Sequence, residues 1–174
     1  MSGSLGRIRQ FFRAMTAHIT ASDRAYVASV LPPKVVPLFD AMHRADQRHA
    51  LNFARTAMAL ADARIKAGEP VDRALLERAA LLHDVGRRAG DLDIFGKVIC
   101  VLLVHFFPAR SRRRADDGTS KMLAVYFHHP QIGAASLRGI GLSREAALIE
   151  RHHAPARADD PIELVILRAA DEAN

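Results

Sequence analysis

Ala80-Leu81-Leu82-His83-Asp84-Val85-Gly86-Arg87 is the stretch on which the reading of this chain turns. Three apolar residues run directly into a histidine and an aspartate. Leu76, Ala80 and His83 align at offsets of four and seven residues, the spacing of one helix face, while Arg73 and Glu77 lie off that line. His83 therefore looks inward, from the last turn of a helix that Asp72 can cap at its start and Gly86 can stop.

Outward from this stretch, the same kind of residue recurs in register. A long helix is expected from the N-cap candidate Asp46 to Gly68, and on it His49 shares a line with Phe53 and Leu60. Beyond the octad come His129, the pair His152-His153 and Asp171, which aligns with Leu164 and Leu167 on a last helix starting at Asp160-Pro161. A carboxylate on a face that should be buried needs a partner, because an unpaired one costs several kcal/mol. A lone inward histidine is more often a hydrogen-bonded core residue than a ligand. Here His49, His83, Asp84, His129, His152, His153 and Asp171 recur over five segments, and imidazoles and carboxylates are what a divalent ion binds. A metal centre is the expectation.

Periodicity argues for helices almost everywhere, and alternating β-branched runs are scarce. The expected fold is all-α, a domain of roughly seven to nine helices over residues 38–174, with residues 1–37 as a helical appendage. The further helices are expected over Leu5–Ile19, from Pro37, over Ile94–Phe107, Ser120–His128, Pro130–Gly139 and from the N-cap candidate Ser143 to His153. Pro32 and Pro33 read as a connector. The run Arg110, Arg112, Arg113 and Arg114, followed by Asp116-Asp117-Gly118, reads as a solvated loop, with a phosphate-contacting patch as the alternative.

Composition narrows the partners. The 174 residues suffice for one hydrophobic core. The single cysteine, Cys100, permits neither a disulfide framework nor a thiolate metal cluster, which fits a reducing cytoplasm, and the N-terminus lacks a secretory pattern. A net charge of +6 and a pI near 10.2 favour anionic partners: phosphorylated metabolites, nucleic acid or an acidic membrane surface. No aromatic residue interleaves the arginines, which weakens a single-strand-binding reading, and no strong nucleic-acid signal remains. The apolar segment Ile94–Phe107 is shorter than the ~20 residues of a spanning helix and reads as a buried helix; an interfacial helix giving peripheral membrane contact over 94–114 is the alternative.

Arg48-His49-Ala50, then Ala80 to Arg87, then Leu167-Arg168-Ala169-Ala170-Asp171 repeat an order of His, His-Asp and distal Asp in which the chain resembles the HD-domain metal-dependent phosphohydrolases. The resemblance covers roughly Leu38 to Asp171. It is nearest to a bacterial branch in which His-Asp is followed by Ile-Gly-Lys, here Val85-Gly86-Arg87. His129-Pro130-Gln131-Ile132-Gly133 resembles the segment that supplies a second-metal histidine in binuclear members, and is the reason to prefer His129 over His128. Arg151-His152-His153 resembles the paired histidines that follow. The resemblance implies one ion on His49, His83, Asp84 and Asp171, with Asp84 bridging to a second on His129, His152 and His153. Ala154-Pro155-Ala156-Arg157 stands where the cyclic di-GMP branch carries Gly-Tyr-Pro, so that substrate is not implied.

The implied cofactor is one or two divalent transition-metal ions, drawn from Mn, Fe, Zn, Co and Ni, because so many imidazoles are unusual for Mg. The implied chemistry is hydrolysis of a small phosphorylated molecule, a nucleotide foremost, by metal-activated water. Asp84 would orient the nucleophile. Arg87, which replaces a phosphate-touching lysine, with Arg88 and Arg151 behind it, would neutralise the phosphate. Two other classes stay open: a non-catalytic nucleotide-sensing or protein-interaction module, and a di-iron oxygenase.

Overall fold

Several helix ends in this chain fall where a side chain or a glycine can satisfy the backbone groups that a helix leaves unpaired. The computed structural model describes residues 18–88, 90, 91 and 94–174. Among them are nine helices: α1 (Ala21–Val30), α2 (Val36–Asp40), α3 (Arg44–Lys66), α4 (Arg73–Leu82), α5 (Ile94–Phe106), α6 (Pro108–Asp116), α7 (Lys121–Gly139), α8 (Ser143–Arg151) and α9 (Ile162–Ala173). No strand occurs among the described residues, so the all-α architecture holds. Of the helix expected over Leu5–Ile19, all but the last two residues lie outside the described ones.

Several boundaries follow the expected chemistry. The Asp72 carboxylate accepts from Leu75 N at 3.0 Å and opens α4, and Gly68 takes the left-handed conformation, φ +86°, just past α3. Others need correction. His43, not Asp46, caps α3: its Nδ1 accepts from Ala45 N at 3.2 Å. Asp46 lies inside the first turn, where a carboxylate suits the helix dipole, and pairs with Lys97 of α5. Helix α8 starts after Leu142 with no side-chain cap, so Ser143 is its first residue rather than its cap. The two helices expected on either side of Pro130 are one, α7. The arginine run is not a loop: Pro108 sits at the first position of α6, where its missing N–H is harmless, and Ser111 and Ala115 are buried four residues apart while the arginines face solvent.

The main core draws Phe39 from α2, Leu51 and Phe53 from α3, Leu76 and Leu82 from α4, Leu137 from α7, Ile149 from α8 and Leu167 from α9. Each such Leu or Phe contributes about 1.5–3 kcal/mol of burial. Val27, Leu31 and Val35, from the segment read as an appendage, are buried in this same core. A smaller cluster of Cys100, Ala115, Leu123 and Val125 joins α5 and α6 to the first half of α7. Helix α7 thus runs from the small cluster into the main core.

Helix α1 is fixed by a buried carboxylate. Thr20 and Asp23 form a reciprocal capping box, and Asp23 also meets Arg48 at 2.6 Å and Arg55 at 2.7 Å. Burial works to raise its carboxyl, but Arg48, Thr20 and Arg55 hold it below the ordinary range. Both arginines are partly solvated, which reduces the loss on removing their partner. Asp23→Ala is expected to destabilise the chain by about 2 kcal/mol, from the lost cap and the broken pair. A urea midpoint unchanged within error would contradict this account of α1.

Candidate metal centre

The site is assembled from three helix C-terminal ends and positions within two further helices. Helix α4 ends at Leu82 and delivers His83 and Asp84; α8 ends at Arg151 and delivers His152 and His153. His129 comes from the middle of α7, His49 from the second turn of α3 and Asp171 from the last turn of α9. His83, Asp84, His129 and His152 are each no more than 2% exposed, so whatever charge they carry is desolvated.

Three of the imidazoles are held in one way. His83 Nδ1 lies 2.9 Å from Ala80 O, His129 Nδ1 3.1 Å from Tyr126 O and His152 Nδ1 2.6 Å from Ile149 O, each three residues back along its own helix. When Nδ1 donates to the carbonyl, Nε2 is left as the free lone pair. Pro130 explains the mid-helix case. It has no N–H to give to Tyr126 O, so that carbonyl is released from the helix ladder and becomes the acceptor for His129. The ring of Phe53 stacks on His83 with centroids 4.0 Å apart and planes within 16°, holding that imidazole's plane.

Two of these Nε2 atoms approach Asp84. Its Oδ1 lies 3.2 Å from His129 Nε2 and its Oδ2 3.5 Å from His83 Nε2. His83 Nε2, His152 Nε2 and Asp84 Oδ1 are buried without a hydrogen-bond partner. The 3.2 Å approach is no hydrogen bond when His129 carries its proton on Nδ1; it sets two electron-rich atoms face to face. The Arg87 guanidinium, 3.0 Å from His129 Nε2 and 2.5 Å from Asp84 Oδ2, answers part of that charge, whereas the buried Nε2 atoms of His83 and His152 are left without a partner and call for a cation. Two groups of ligand atoms within 4.8 Å of one another result: His49, His83 and Asp84, and His129, His152 and His153.

Protonation follows from this crowding. Burial, then His83, pushes His49 down to about 4; burial, then His83 and His153, pushes His152 down to about 3. Burial and Arg87 also lower His129. These imidazoles are neutral near pH 7 and can donate a lone pair. Burial alone would raise Asp84, but Arg87, then His83 and His129, hold it well below the ordinary carboxylate range. His83 moves the other way, since the Asp84 carboxylate outweighs the effect of burial. A proton and a metal ion would compete for that one nitrogen.

The remaining residues anticipated from the sequence are less uniform. Asp171 lies outside the group of His49, His83 and Asp84; its Oδ2 meets His153 Nδ1 at 3.3 Å, and it is about a third exposed rather than buried. His128 turns to Asp116 at 3.0 Å, leaving His129 to face Asp84. Arg87 reaches the cluster: Nη1 is 2.5 Å from Asp84 Oδ2 and Nη2 3.0 Å from His129 Nε2. Arg88 is exposed and pairs its backbone with Met42. Arg151 is committed elsewhere, at 2.6 Å from Asp160 Oδ1, a carboxylate that also holds Arg168 at 2.5 Å. Asp160 was legible only as a helix start, and nothing in its spacing marks it as the anchor of two arginines.

No curated protein and no solved structure matches the chain. The family model described as HD domain matches residues 47–173, a span that takes in all seven of these side chains. With that match over most of its length, the chain belongs to the HD-domain metal-dependent phosphohydrolase superfamily.

Proposed function

We propose that this protein hydrolyses a phosphate ester of a nucleotide or another small phosphorylated compound, with one or two divalent transition-metal ions held by His49, His83, Asp84, His129, His152, His153 and Asp171. The observation that carries the reading is the set of buried Nε2 atoms of His83, His129 and His152, each set opposite an Nδ1 contact to its own helix, with those of His83 and His129 within 3.5 Å of the buried carboxylate of Asp84. A divalent ion supplies there a water acidified from a pKa of 15.7 toward ~7, and charge to meet the phosphate.

The chain's own side chains do the rest. Asp84 lies between the two histidine groups, so its two oxygens can serve both and can accept a hydrogen bond that orients a water. The carbonyls of Ala80, Tyr126 and Ile149 keep the imidazole rings from turning, so the donor atoms need no rearrangement. Arg87 already reaches the centre, and its fork matches two phosphate oxygens. His49, His153, Asp171 and Arg87 are the members that reach solvent, and a substrate would approach past them.

The test is metal analysis of protein purified without chelator, followed by a panel of phosphomonoesters and phosphodiesters with the metal found. Close to one or two transition-metal ions per chain, and turnover that chelation removes and the metal restores, is the expected result. Bound metal without turnover on any ester would replace this reading with that of a nucleotide-sensing module.

A further inference from the structure

Helix α5 carries a face that the described chain does not cover. Its inner side, Cys100 with Leu103 and Val104, packs into the small cluster with α6 and α7. Phe95, Val98, Ile99, Leu102 and Phe106, at offsets of three, four, seven and eleven, form an outward stripe, and Phe95 and Phe106 are 63% and 66% exposed. Single exposed leucines need no explanation, whereas a contiguous apolar stripe marks an interaction surface.

Charge selects its partner. Residues 94–115 contain no aspartate or glutamate. Helix α6 follows at once with Arg110, Arg113 and Arg114, all exposed and none within ion-pair distance of a carboxylate among the described residues, while Arg112 is paired with Asp116. A second copy of the chain fits poorly. A two-fold contact through this stripe would bring two arginine clusters together, and a strip ~20 Å long and ~10 Å wide falls well short of the ~800 Å² per partner of a stable dimer. An anionic lipid surface matches both parts: the stripe enters the headgroup–acyl boundary and the guanidiniums meet lipid phosphates.

We propose that α5 and α6 form a peripheral docking surface for membranes rich in anionic phospholipid. No described helix is long and apolar enough to cross a membrane, so α5 would lie in the interface plane. The ion pair of Lys97 with Asp46 ties α5 to the first turn of α3, one turn before His49, and so fixes the docked face relative to the metal centre. The proposal is independent of the hydrolase reading.

The test is co-sedimentation of the full chain with vesicles of phosphatidylcholine alone and of phosphatidylcholine with 30% phosphatidylserine. Binding to the anionic vesicles should exceed binding to the neutral ones by at least tenfold and should weaken at high salt. The triple variant Arg110→Ala, Arg113→Ala, Arg114→Ala should lose about a hundredfold in partitioning. Ile99→Asp with Leu102→Asp should abolish binding with helical content and metal content unchanged, which separates docking from misfolding. Equal binding to both vesicles, or to neither, would overturn the proposal. So would a dimer in sedimentation that the Ile99→Asp, Leu102→Asp variant dissolves, since the stripe would then belong to a second copy.

Discussion

Asp84→Ala is expected to lower phosphoester turnover at least ~10³-fold and to remove bound metal, with the helical circular dichroism signal unchanged. Asp84 is the one carboxylate shared between the two histidine groups, within 3.2 Å of His129 Nε2 and 3.5 Å of His83 Nε2. Without it, buried imidazoles would have to hold a dication with no nearby negative charge except Asp171, which is a third exposed and turned to His153. The fold should tolerate the loss better than the chemistry does. Arg87, the ion partner left behind, is partly exposed and can return to water, and the carboxylate's own desolvation penalty disappears with it. Asp84→Asn is the stricter form of the test, since it keeps shape and removes charge. Metal retained at wild-type stoichiometry in Asp84→Asn would mean that the imidazoles alone hold the ion and that Asp84 does not bridge.

How far the sequence carried depends on where the signal was local. Asp72 and Gly68 were legible because a cap and a left-handed glycine act within a few residues. Thr20-Ala21-Ser22-Asp23 held a similar capping-box signal for α1, a helix the sequence reading did not include. Two prolines lie where local signal is ambiguous. Pro108 opens α6 where the arginine run pointed to a loop; Pro130 lies inside α7 rather than at a helix start, and His129 takes the carbonyl that it leaves free. The order of the seven side chains pointed to a metal centre, and helical register turned His83 inward correctly, whereas Asp171, put on a buried face by the same argument, is a third exposed. Which oxygen meets which nitrogen is a long-range outcome. No spacing shows that Arg151 is taken by Asp160, or that Asp171 leans on His153 instead of joining His49 and His83.

Gly86→Ala should damage both stability and site more than its single methyl group suggests. A Cβ at position 86 would stand 2.0 Å from His129 O and 2.8 Å from Gly133 N, and both are backbone atoms of α7 that no rotamer change can move aside. The turn after α4 approaches α7 backbone to backbone at this point, and that approach brings Asp84 to His129. Overpacking typically costs 1–3 kcal/mol and exceeds that when rigid elements must separate, so about 3 kcal/mol or more is expected in denaturant melts. Gly133→Ala, on the facing side, meets its neighbours at 3.1–3.2 Å, two of them the side chains of Val85 and Ile149, and should cost less. The two variants differ in a second readout. Gly86→Ala displaces α7 from Asp84 and should weaken metal binding even at temperatures where the protein is folded, whereas Gly133→Ala should leave it nearly intact. Wild-type metal affinity in folded Gly86→Ala would show that His129 does not depend on this contact for its place beside Asp84.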